Sequence, residues 1–201
     1  VSDDTPWLAP EQLHAWMHVS AALTTLPAAI ECQLKRDSGL NWFEYSVLAS
    51  LAETPGHAKK LCELAVISHG SQSRLSHAIS RMERSGWVER RSCMEGSARS
   101  VEAVLTPAGL AKIVEAAPGH VVNARKLVVD ALSPEEFDQL HQVLRKILLA
   151  AAPEMIELID TSFAERNSAL PGGAEGRASI GADSGAGDGA EGLRTPVVTG
   201  D

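Results

Sequence analysis

Apolar residues at Leu13, Trp16, Met17, Leu23, Leu26, Ile30 and Leu34 keep helical spacing and predict a long first helix over 10–36. Pro10 suits its first turn, Pro27 kinks it, and Asp37-Ser38-Gly39 ends it. Asn41 caps a second helix, 42–53, with Phe43, Val47, Leu48 and Leu51 on its apolar side, and Thr54-Pro55-Gly56 stops it. Leu61, Leu64 and Ala65 predict a short helix over 58–66. A turn around Ser68-His69-Gly70 leads to a helix over 72–85 that Ser71 can cap. The period then switches to two: 87–91 reads as a strand, and so does 100–105, where Val101, Ala103 and Leu105 share a face. The polar loop 92–99 joins them as a hairpin. Thr106-Pro107 opens a helix over 107–130, bent at Pro118. Ser133-Pro134-Glu135-Glu136 is a capping box opening a helix over 134–151, with Phe137, Leu140, Leu144, Ile147 and Leu148 on one side. Pro153 interrupts, and a last short helix covers 154–165.

The chain is therefore mainly α with a small β-hairpin. Helix, turn, helix, hairpin is the order of a winged helix-turn-helix, whose recognition helix enters a DNA major groove. The helix 72–85 suits that role. Leu75, Ala78, Ile79 and Met82 form its buried stripe, while Ser73, Ser76, His77 and Ser80 lie opposite, flanked by Arg74 and Arg81. Small polar side chains allow close approach to base edges, and arginines reach guanine or phosphate. Backbone N–H groups near Ser71 and Gln72 favour a phosphate.

Charge sharpens this picture only when it is located. The 201 residues carry a net charge of −8, which by itself argues against nucleic acid. Residues 59–99, however, hold eight Lys/Arg against four Glu, a local +4 that leaves −12 for the remainder. A phosphate senses charge within about 8 Å, so the local sign counts. Residues 167–201 hold 9 of the 16 glycines and no aromatic residue, and are expected to be disordered. Cys32, Cys62 and Cys93 are odd in number and widely spaced, which argues against a disulfide framework. Cys62, among Leu61, Leu64 and Ala65, is expected to be packed, and Cys93 to be the exposed thiol. His57, Cys62, His69 and His77 match no common zinc spacing, so no metal is assigned. No phosphate-binding, dinucleotide or nucleophile-elbow motif occurs, so neither a catalytic residue nor a cofactor is assigned. The acidic start and the lack of a membrane-length apolar run predict a cytoplasmic protein without a membrane partner.

Several runs together resemble the MarR family of transcriptional regulators, in the style of its actinobacterial members. They are Gly39-Leu40-Asn41-Trp42-Phe43-Glu44-Tyr45-Ser46-Val47-Leu48, Leu61-Cys62-Glu63-Leu64-Ala65, Ser73-Arg74-Leu75-Ser76-His77, Arg84-Ser85-Gly86-Trp87-Val88-Glu89-Arg90 and Ala103-Val104-Leu105-Thr106-Pro107-Ala108-Gly109. The resemblance spans roughly residues 8–150. It implies a homodimer acting as a repressor, bound to a pseudo-palindrome of double-stranded DNA and released by a small apolar or aromatic effector. It divides the chain into a dimerisation helix (1–36), a DNA-binding domain (37–106), C-terminal dimerisation helices (107–166) and a tail (167–201). By the family pattern the DNA contacts fall on Ser71, Gln72, Ser73, Arg74, Ser76, His77 and Arg81, with Arg99 at the wing tip. Members usually carry an Asp two residues before the wing arginine; Ser97 stands there, which predicts a looser wing unless Glu95 substitutes. Trp16, Trp42, Phe43 and Tyr45 are the candidate effector-pocket residues. Two rival readings keep the fold but change the role: a thiol- or metal-responsive regulator, and a winged-helix module that binds only protein.

Overall fold

The computed structural model describes residues 4–67, 72–95 and 98–169, with the side chains of 67, 94, 95, 98, 99, 165, 166, 168 and 169 outside that description. The first helix, α1 (Pro10–Ser38), runs 29 residues. It ends on Gly39, whose φ of 71° is left-handed and whose N–H donates to Lys35 O at 3.2 Å. α2 (Trp42–Glu53) starts from a reciprocal cap: Asn41 Oδ1 accepts from Glu44 N, and Glu44 Oε2 accepts from Asn41 N. A 3-10 turn at Pro55–His57 follows. Next comes β1 (Ala58–Lys60), then α3 (Leu61–Ile67), α4 (Gln72–Arg84), β2 (Val88–Glu95) and β3 (Ala98–Leu105). α5 (Pro107–Leu127), α6 (Pro134–Ala151) and α7 (Pro153–Ala169) complete the described chain.

Three expectations are corrected. Residues 58–60 form a strand, not the start of a helix; they pair antiparallel with β3, Ala58 opposite Val104 and Lys60 opposite Glu102. The sheet order is β1-β3-β2, so β3 sits in the middle and satisfies both neighbours. The hairpin is also longer than expected, its ladder running from Val88–Leu105 to Glu95–Ala98. Finally, the cysteines differ: Cys62 is exposed, Cys32 is exposed, and Cys93 is half-buried with Sγ 2.7 Å from Ser100 Oγ. Cys62 lies about 100° around α3 from Leu61, off the face that buries Leu64 and Ala65. Ser71, Ser97, His69 and the tail beyond 169 lie outside the described residues.

The core joins α2, α3, α4, the sheet and the start of α5. Leu40, Val47, Leu48, Leu51, Leu64, Ile79, Met82, Val88 and Ala103 are buried within it. Thr106 ties the sheet to α5: its Oγ1 donates to Gly86 O and accepts from Gly109 N, while its N–H donates to Trp87 O. Gly109 must be glycine there, because a Cβ would lie 2.1 Å from Trp87 O. α6 contrasts sharply: none of its residues is buried, although its apolar residues fall on one stripe. α7 folds back on α6 through Arg145, which donates to both Asp160 oxygens at 2.9 and 2.8 Å. Among the described residues no helix is long and apolar enough to cross a membrane.

Candidate nucleic-acid interface

α4 owes its orientation to its apolar stripe. Leu75, Ala78, Ile79 and Met82 are buried, so the opposite side must face solvent. Gln72, Ser73, Arg74, Ser76 and His77 are all exposed there or on its flanks. At about 100° per residue, Arg84 shares the sector of Ser73, Ser76, His77 and Ser80. It is a basic group on the open face that the family pattern did not single out. No group of three or more His, Cys, Asp or Glu among the described residues is placed to hold a metal.

The two flanking arginines turn toward α2. Arg74 stands over the Phe43 ring, its Cζ 5.2 Å from the centroid. Arg81 donates through Nε to Glu44 Oε1 at 2.8 Å. The side chain expected on DNA is thus in an ion pair, with about half of it still exposed. Arg99 pairs through its backbone with Met94 in the hairpin ladder; its side chain is outside the described set.

The wing is docked onto α4 by a residue read from sequence only as part of the basic field. Arg90 ion-pairs with Glu83, donates to Ser76 O at 3.2 Å and to Ser80 Oγ at 3.1 Å. Its N–H also donates to Glu83 Oε1. The sequence signal was an acidic residue in the last turn of an otherwise basic helix. Farther along the hairpin, Arg91 and Glu102 face each other in register and pair at 2.9 Å. Hydrogen bonds from Arg91, then Cys93, hold the Glu102 carboxyl below its ordinary range.

A cleft of about 730 Å³ opens between α1, α2 and α4. Trp42 and Phe43 line it, together with Glu31, Lys35, Arg74, His77 and Arg81. The other two candidate pocket residues go elsewhere. Tyr45 is stacked on Trp42 and lies 4.4 Å from the His120 ring of α5. Trp16 is exposed on α1 beside Leu13 and Met17. His120 is half-buried, and that burial lowers its pKa from the ordinary 6.5.

Solved structures now give the arrangement its relatives. Sco3205 of Streptomyces coelicolor, a MarR family transcriptional regulator solved in complex with DNA, is 34% identical with a TM-score of 0.69. The match covers 76% of this chain and 94% of that one. AbsC of the same organism, also a MarR family regulator, is 34% identical at a TM-score of 0.69, over 73% of this chain and 98% of its own. The chain belongs to the MarR family. CouR of Rhodococcus jostii RHA1, bound to p-coumaroyl-CoA, shares the fold at 18% identity and a TM-score of 0.57, over 66% of this chain and 90% of that one. No family model and no curated protein matches the sequence. In this MarR-family chain the helices and the small antiparallel sheet are those of the winged helix fold.

Proposed function

We propose that the protein is a DNA-binding transcriptional repressor that acts as a homodimer on a pseudo-palindromic operator, in the compartment that holds the chromosome. The observation that carries this reading is the open face of α4, built from Ser73, Ser76, His77 and Arg84 on a helix fixed by four buried apolar residues. Sco3205, 34% identical, was solved with DNA. Ser71, Gln72, Ser73, Arg74, Ser76, His77 and Arg99 are the proposed contacts, with Arg84 added at the far end of α4.

Homodimerisation is supported by the apolar side chains left uncovered on α1 and α6. Leu13, Trp16 and Met17 on α1, and Phe137, Leu144 and Ile147 on α6, are more exposed than a single chain has reason to leave them. Binding to DNA by such a dimer would place two recognition helices in major grooves about 34–36 Å apart, one turn of DNA. The cleft beside α4 is the proposed effector site. Trp42 and Phe43 supply aromatic surface, while Arg74 and His77 belong to both the cleft and the DNA face. A small aromatic ligand there therefore competes directly with the DNA-bound arrangement, which is the differential affinity a switch requires.

The test is selection of genomic fragments by the purified protein, followed by titration of the recovered duplex at rising salt. The expected result is a pseudo-palindrome whose affinity falls steeply with salt. No enriched duplex, or an affinity insensitive to salt, overturns the reading in favour of a protein-binding module.

A further inference from the structure

Glu44 is an acidic residue beside a DNA-reading helix, where its charge by itself repels phosphate. It is nonetheless 7% exposed and uses both oxygens. Oε2 accepts from Asn41 N at 3.1 Å, closing the cap of α2. Oε1 accepts from Arg81 Nε at 2.8 Å, across 37 residues of sequence. The neighbouring Phe43 receives Arg74 on its ring. Arg74 and Arg81, two of the three arginines of α4, therefore rest on the first turn of α2, and that turn is held in place by α1, where Glu31 Oε2 accepts from Trp42 N at 2.7 Å. A nearly buried polar group costs stability unless its hydrogen bonds are made, so both Glu44 oxygens are tied to defined partners, Asn41 N and Arg81 Nε.

We infer that Glu44 is a positioning residue for DNA recognition, holding the recognition helix through Arg81, which serves as a strut between α2 and α4 and not as a DNA contact. The inference rests on the reading of α4 as the DNA-binding helix. It also replaces one contact inherited from the family pattern. Electrostatics and positioning predict opposite signs for the loss of the Glu44 charge. Removing a negative charge near the phosphates tightens binding if charge is all that Glu44 contributes. It weakens binding if α4 loses its strut.

The experiment compares wild type, Glu44→Gln, Arg81→Gln and the double variant on the fluorescein-labelled duplex recovered by selection, across about 50–200 mM salt. Glutamine at position 44 can still cap Asn41, so the start of α2 is kept. Each single variant is expected to bind about tenfold more weakly with an unchanged salt slope, and the double variant no more weakly than either. Amide exchange without DNA is expected to quicken in 72–84 for both single variants and to stay unchanged in α5. Equal or tighter binding by Glu44→Gln overturns the inference, as does unaltered exchange in 72–84. So does a salt slope lowered by about one in Arg81→Gln, the sign of a lost phosphate contact. If the wild type selects no duplex, the DNA reading fails, and the exchange data still decide whether Glu44 braces α4.

Discussion

The winged domain and the helices that flank it obey different rules. Around Leu48, Ile79 and Met82 the apolar residues are fully enclosed by their own chain. Along α6 every apolar residue of the stripe keeps solvent access: Leu144 is 47% exposed and Ile147 49%. Both regions carry clear apolar periodicity, so pattern alone does not distinguish an enclosed stripe from an open one. The difference lies in what the chain can place opposite each stripe. The winged domain has a sheet and three helices converging on one centre. The second half of α6 has mainly α7, held by the Arg145–Asp160 pair.

Substitutions can break this comparison in order of expected effect. Leu48→Ala empties part of an enclosed core and is expected to cost about 2–5 kcal/mol, read from denaturant or thermal unfolding at any protein concentration. Leu144→Asp with Ile147→Asp is expected to leave the winged domain folded and to yield a monomer, measured by sedimentation velocity alongside circular dichroism. A dimer persisting in that variant would mean that α6 is not half of an interface. Arg74→Ala is expected to cost about 1–3 kcal/mol of duplex affinity with little change in unfolding, since Arg74 is an exposed residue.

The smallest effect concerns pH at the seam between the two regions. His120 packs against Trp42 and Tyr45, and burial lowers its pKa below 6.5. The unfolded chain thus binds the proton more readily than the folded one. Its contribution to stability is complete above about pH 6.5, shrinks as pH falls toward the lowered value, and levels off below it. The melting temperature is expected to show that loss in wild type and to be flatter in His120→Phe over the same window.

How much of this was legible in the sequence follows from the range of each signal. α2 and α6 begin where predicted because Asn41 and Ser133, each with Glu at the third helical position, announce a cap within four residues. β1 was illegible: Ala58, Lys59 and Lys60 carry no alternation, and only the edge of β3, more than forty residues on, makes them a strand. The buried stripe of α4 was read correctly from spacing. The partner of Arg81 was not, because helical periodicity gives the direction of a side chain and not what waits there. The pocket set divides for the same reason: Trp42 and Phe43 reach the cleft, while Trp16 and Tyr45 belong to other surfaces.

The knot at Thr106 has a mechanical consequence. Gly86 O, Trp87 O and Gly109 N all converge on one threonine, and the backbone of α5 approaches Trp87 so closely that no side chain fits at Gly109. The base of the hairpin and the first turn of α5 are thereby tied together. A tilt of α5 is therefore passed to the base of the wing, and in the proposed homodimer the spacing of the two wings would follow how the long helices cross.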